Sequence, residues 1–301
     1  MVFSDPSPIT FPGLGIEVDP PAGFTIPGTN FEIKFYGLII AIGVVLAVLY
    51  TARRAKEFGL TRDDIYNLVI VGMPCAIVGA RLYYVIFEWD RFFGAGSNWY
   101  DFLNIRKGGL AIYGGVIGAA LGIILFCLCS KKRRCKLLPY FDITGLGLLI
   151  GQAVGRWGNF FNREAHGGAC SNFLRMGIVE SGTQMYVHPT FLYESVWNLV
   201  GLLLLHFLSK KRKFDGQVFL YYLAWYGLGR AWIEGLRTDS LWWGEFRVSQ
   251  VLAAVSCLAA VGIMLFVLLV KRPTPDKLLV NRVSAQADTP EISETPEEPK
   301  E

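Results

Sequence analysis

Seven apolar runs, near residues 33–52, 66–88, 109–130, 138–157, 189–208, 216–236 and 248–270, leave this 301-residue chain few ways to fold. About 20 mostly apolar residues cross the hydrocarbon core of a bilayer as a helix, in which the backbone satisfies its own hydrogen bonds. The runs predict an all-α integral membrane protein with seven transmembrane helices. Composition agrees, since 52% of the residues are hydrophobic and only 18% are charged, against roughly 25% charged in soluble domains. A secreted disulfide scaffold, a disordered chain and a cytosolic enzyme are excluded. The six cysteines form no Cys-x-x-Cys pair and there are only three histidines, so neither a metal site nor a disulfide framework is expected. No cofactor and no nucleic-acid partner is implied.

Loop charge gives the orientation. Arg53, Arg54, Lys56 and Arg62, then Lys131 to Arg134 and Lys136, then Lys210 to Lys213, then Lys271, Arg272 and Lys277 fill alternate loops. The intervening loops carry only Arg91, Arg106 and Lys107, Arg163 and Arg175, and Arg237 and Arg247. By the positive-inside rule the first set is cytoplasmic, which puts the N-terminus outside and the C-terminus inside. Residues 1–32 read as an irregular extracytoplasmic leader, 33–272 as the membrane domain, and 158–188 as an outer loop with a small hairpin around Phe173–Met176 and Gln184–Val187. The Pro- and Glu-rich segment 273–301 reads as a disordered cytoplasmic tail. Two glycine rows, Gly114/Gly118/Gly122 and Gly147/Gly151/Gly155, predict close packing of the third and fourth helices on each other.

Ionisable residues inside a membrane are costly and face a cavity or a partner. At 1.5 Å per residue, Arg156 lies about 27 Å along the outward-running fourth helix, at its outer end. Arg81, Arg230, Glu234 and Arg237 fall in the outer parts of the second and sixth helices, and Tyr36, Tyr113, His188, Tyr193 and Glu194 open the inward-running ones. Every intramembrane charge except Asp142 thus converges on the outer leaflet, whereas a transporter would place its site near the midplane. Bland readings stand beside this one. Arg230 and Glu234 make an i,i+4 pair within one helix, Arg237 can snorkel, Arg81 can staple helices together, and Trp157, Trp242 and Trp243 fit an aromatic belt.

The densest polar segment is Gly155-Arg156-Trp157-Gly158-Asn159-Phe160-Phe161-Asn162-Arg163-Glu164-Ala165-His166-Gly167. Guanidinium forks and glycine-exposed backbone N–H groups suit an anion. The segment closely resembles the signature of the bacterial prolipoprotein diacylglyceryl transferases. The resemblance extends through Phe35-Tyr36-Gly37-Leu38, Gly79-Ala80-Arg81-Leu82, Gly108 to Gly115, His188-Pro189 with Tyr193-Glu194, and Gly229-Arg230 with Glu234 and Arg237, covering residues 33 to 272.

The resemblance implies transfer of the diacylglyceryl group of phosphatidylglycerol to the lipobox cysteine thiol of a prolipoprotein, at the outer face of the bacterial cytoplasmic membrane; separately, a monomer among membrane lipids is expected. A thioether forms and glycerol phosphate leaves. On this reading Arg156 and Arg237 clamp the phosphate, Asn159 and the Gly167 backbone orient the headgroup, Glu164 positions an arginine or the glycerol hydroxyls, and Tyr36 shapes the lipid-facing wall. Arg81, Asn162, Tyr193, Glu194, Arg230 and Glu234 complete the substrate site. Some relatives have histidine where this chain has Tyr113. A phenol, with an ordinary pKa of about 10, is a poor base at neutral pH. His188, Glu164 or the arginines' positive potential are the alternatives for generating the thiolate. Another phospholipid-headgroup transferase, or a seven-helix transporter or receptor without catalysis, are the competing functions. An intramembrane protease is disfavoured, because Gly-x-Ser-x-Gly and His-Glu-x-x-His do not occur.

Overall fold

A computed structural model describes residues 7–29, 32–94, 99–104, 108–180, 182–238 and 242–287. The leader's first six residues, Arg106 and Lys107 of an outer loop, and the tail from 288 onward lie outside the described residues. The chain is mostly helical. In order, β1 (Ile9–Phe11), β2 (Ile16–Val18), β3 (Gly23–Thr25) and β4 (Glu32–Lys34) precede α1 (Phe35–Arg54), α2 (Arg62–Phe87), α3 (Trp89–Phe93), α4 (Ile112–Leu128), α5 (Lys131–Arg134) and α6 (Leu137–Phe161). Then come β5 (Met176–Glu180), β6 (Thr183–Val187), α7 (Thr190–Leu208), α8 (Gln217–Ile233), β7 (Trp242–Trp243), β8 (Phe246–Arg247), α9 (Val248–Phe266) and α10 (Leu279–Ala287).

Five helical segments are long and apolar enough to cross a membrane: Phe35–Phe58, Arg62–Phe87, Leu137–Phe161, Thr190–Lys211 and Val248–Lys271. The helices in the other two apolar runs, α4 and α8, have 17 residues each, about 26 Å at 1.5 Å per residue. The polarity of the fourth run has a structural cause. Helix α6 is the centre of the bundle, packed by α1, α7 and α8, and its Tyr140, Ile143, Leu146 and Leu149 are fully enclosed. Its polar groups therefore meet protein. Asp142 is one: its carboxylate accepts from the N–H groups of Gly216 (2.7 Å) and Phe219 (2.8 Å), satisfying free donors at the start of α8. At the same end a capping box starts α2, with Asp64 N–H donating to Thr61 Oγ1 and Thr61 N–H to Asp64 Oδ2. Lys136 and Tyr140 bind the same carboxylate at 2.8 Å and tie α2 to α6.

The glycine rows pack differently from the expectation. A methyl group on Gly118 would overlap the Cys75 carbonyl, and one on Gly114 the Gly79 carbonyl, so α4 lies backbone to backbone on α2. In the other row, Gly147 and Gly151 face Thr51 and Gly43 of α1. Small residues mark where a helix is approached closely, but carry no label for the partner. Helices α7 and α8 are joined by a reciprocal tryptophan pair. Trp197 and Trp225 stack at 4.3 Å, and each indole N–H donates to the other's carbonyl at 3.0 Å, with Gly229 and Gly201 making room.

Two segments read as irregular or disordered carry structure. In the leader, β1 pairs with β2 and with β5, giving a sheet of order β2-β1-β5-β6. Ile9 and Phe11 are buried against Phe160, Met176, Ile178, Val187 and Phe191. In the tail, Leu278 and Leu279 are buried, and Asp215 accepts from the Leu279 N–H at 2.9 Å. Both owe their order to distant partners that local composition does not reveal.

Candidate active site

The end of α6, the first turn of α7 and the end of α8 meet around one carboxylate. Glu194 is 3% exposed. Its Oε2 lies 2.5 Å from Arg156 of α6, and its Oε1 lies 3.0 Å from Arg230 of α8 and 3.4 Å from Arg237 just beyond it. Arg230 also pairs with Glu234, one helical turn on, at 2.5 Å. Three guanidinium groups thus meet two buried carboxylates. Arg156 and Arg230 keep 20% and 17% of their side-chain surface, so the cluster is open on that side to an anion.

The polar segment after α6 forms a tight turn beside this cluster. Arg163 (φ 53°) and Ala165 (φ 58°) take left-handed backbone conformations, which side-chain-bearing residues adopt only when surroundings enforce them. The enforcement is visible. Glu164 N–H donates to the Asn159 carbonyl at 3.0 Å, Thr190 Oγ1 donates to the Ala165 carbonyl at 2.6 Å, and Arg163 pairs with Asp19 of the leader at 2.5 Å. Within the turn, Glu164 Oε1 accepts from the side-chain amides of Asn159 (3.0 Å) and Asn162 (3.4 Å), and Arg156 donates to Asn159 Oδ1 at 3.3 Å. Glu164 therefore acts on Arg156 through Asn159. Tyr36 packs on the end of α6 beside this turn, because a methyl at Gly158 would lie 2.8 Å from its ring.

Other sequence-predicted residues lie around or outside this cluster. The Gly167 N–H donates to the His188 carbonyl at 2.9 Å, so it is engaged; Gly167 instead bridges to Arg237 in a short antiparallel contact. His188 and Tyr193 share Asn172, whose amide lies 3.4 Å from His188 Nδ1 and donates to Tyr193 Oη at 3.1 Å. Tyr113 hydrogen-bonds Ser249 of α9 at 2.9 Å. Arg81 is outside the cluster. Its guanidinium donates to the carbonyls of Asp101, Phe102, Gly108 and Gly109 at 2.6 to 2.8 Å and holds the loop between α3 and α4.

Three contributors were not picked out from the sequence. Ser195 accepts from Trp157 Nε1 at 3.2 Å and donates to the Ala153 carbonyl at 2.9 Å, fixing α7 against α6 one residue from Glu194. Arg247 donates to the Glu234 carbonyl. Asn172 sits in an irregular loop with no pattern to flag it, whereas a serine beside a glutamate in an apolar run is a readable signal.

Such a cluster can bind a phosphate, stabilise negative charge on a leaving group and favour an anionic nucleophile. Comparison with known proteins points the same way. The family model described as prolipoprotein diacylglyceryl transferase matches residues 21–267. Curated relatives named phosphatidylglycerol–prolipoprotein diacylglyceryl transferase include one from Clostridium botulinum (strain Langeland), 41% identical over 240 residues, covering 77% of this chain and 91% of the relative. One from Bacillus cereus (strain G9842) is 44% identical over 231 residues, 74% of this chain and 83% of the relative. One from Listeria welshimeri is 39% identical over 261 residues, 84% and 92%. With arginines from two helices and the segment beyond α8 gathered on one buried glutamate, and with a match over most of its length, this chain belongs to the prolipoprotein diacylglyceryl transferase family.

Proposed function

We propose that this chain transfers the diacylglyceryl group of phosphatidylglycerol to the lipobox cysteine of a prolipoprotein. The observation that carries the reading is Glu194 holding Arg156, Arg230 and Arg237 within 3.4 Å of one carboxylate. The substrate thiol loses its proton, its sulfur forms a bond to the diacylglyceryl carbon, and the bond from that carbon to the phosphate oxygen breaks. The electron pair leaves on the oxygen, and glycerol phosphate departs as an anion. The nucleophile belongs to the substrate. The protein's task is electrostatic: Arg156 and Arg237 hold the phosphate and stabilise the charge growing on it. The same positive potential lowers the pKa of a thiol that is ordinarily near 8.5. Asn159, fixed by Glu164, orients the headgroup, and Tyr36 forms the wall beside it.

In this reading all seven long helices span the bacterial cytoplasmic membrane, the N-terminus and the arginine cluster face outward, and the basic loops face the cytoplasm. The lopsided loop charge supports that orientation, and the protein works as a monomer. Purified full-length protein incubated with labelled phosphatidylglycerol and a lipobox peptide yields a diacylglyceryl thioether. Arg156→Ala abolishes that product while the protein still accumulates. Unchanged transfer by a folded Arg156→Ala variant, or labelling of position 156 from the cytoplasmic side, overturns the assignment.

A further inference from the structure

The far end of the helices carries a second concentration of positive charge that the reaction above does not use. Lys210 follows Glu194 by about 24 Å along α7 at 1.5 Å per residue. There a cleft of about 450 Å³ opens between the segment after α7 and the C-terminal segment, lined by Glu57, Lys210, Lys211, Arg212, Lys213 and Asn281 among others. The three lysines are exposed and, among the described residues, make no ion pair. Glu57 is already neutralised by Arg54 at 2.5 Å.

Arg212 differs from the lysines. It is 7% exposed, lies 4.2 Å over the Phe58 ring, and donates only to the backbone carbonyls of Ser209 (3.0 Å) and Glu57. Its Nε has no acceptor, and no carboxylate lies within ion-pair distance among the described residues. A buried guanidinium with a vacant donor and no carboxylate in contact, with Asp142, Asp215 and Glu57 acting on it only from a distance, gains from an anion that comes closer. Loop lysines that only set orientation need neither a cleft of this size nor such an arginine. Leu278 and Val280 add apolar lining beside the charge.

We propose that this cleft is a phosphate-binding site, taking the phosphodiester headgroup of an anionic lipid or a free phosphate anion. The test uses full-length protein in detergent. A cleft variant, Lys210→Gln/Lys211→Gln/Lys213→Gln, is compared with a control of equal charge change at the same end, Arg53→Gln/Arg62→Gln/Lys131→Gln. All six side chains are exposed, so both variants fold. Native mass spectrometry with dioleoyl phosphatidylglycerol is expected to show the wild type and the control retaining one more lipid than the cleft variant, with affinity lost by at least about tenfold. Lipid retention without any effect of inorganic phosphate assigns the site to a headgroup. Thermal protection of the lipid-free wild type by inorganic phosphate, lost in the cleft variant, assigns it to a free anion. Equal behaviour of the cleft and control variants towards both probes overturns the proposal.

Discussion

Glu194 of α7 and Arg156 of α6 stand 2.5 Å apart, and the other oxygen of the same carboxylate faces Arg230 and Arg237. Removing that carboxylate leaves Arg156 without its ion pair and Arg230 with Glu234 alone among the described residues. Breaking a buried ion pair by deleting one partner costs about 3–5 kcal/mol. Glu194→Ala is expected to lose that much stability, measured by unfolding in mixed micelles. Glu194→Gln, which keeps the shape and one acceptor, falls between it and the wild type. An alanine variant within about 0.5 kcal/mol of wild type would show that the glutamate does not hold the cluster.

Arg156 pairs with Glu194 at 2.5 Å through one terminal nitrogen of its planar fork and donates to Asn159 Oδ1 through the other. A lysine is a point charge and cannot reproduce two directed contacts. Arg156→Lys is therefore expected to lower the rate of thioether formation about 100-fold, the scale seen when one donor to a developing anion is lost, with protein yield unchanged. A rate within threefold of wild type would mean that charge alone suffices there.

What the sequence reveals about this molecule follows from the range of each interaction. The positions of the long helices are local properties of apolar runs and are readable directly. That Arg156, Glu194 and Arg230 lie at the same end of their helices follows from counting residues along alternating directions. That Glu194 is the shared partner is not readable, since Arg230 already has Glu234 one turn away in its own helix. The choice between the two carboxylates is made by how α7 sits against α6 and α8, which Ser195 and the Trp197–Trp225 pair set. The order of β1 likewise depends on strand β5, more than 160 residues away.

Gly118 exposes a different dependence. Its Cα faces the Cys75 carbonyl so closely that any side chain overlaps it, whereas Gly155, equally part of a glycine row, has nothing within 4 Å of an added methyl. Gly118→Val is expected to destabilise the protein by about 1–3 kcal/mol, since overpacking forces backbones apart. Gly155→Ala should be neutral or slightly stabilising, through the higher helix propensity of alanine. Unfolding midpoints in the same detergent compare the two. The reverse order would show that α2 and α4 do not meet through this face.

Tyr113 is the residue for which the family resemblance raised a catalytic question. Its hydroxyl hydrogen-bonds Ser249 Oγ of α9 at 2.9 Å and, among the described residues, makes no bond to the arginine cluster. A group fixed this way holds two helices together, a contribution of about 1 kcal/mol. Tyr113→Phe is therefore expected to keep thioether formation within about twofold of wild type, with an unaltered pH profile, and Ser249→Ala should match it, because each removes the same bond. A tenfold or greater loss in Tyr113→Phe with Ser249→Ala unaffected would separate the hydroxyl from its structural partner and place it in the proton transfer.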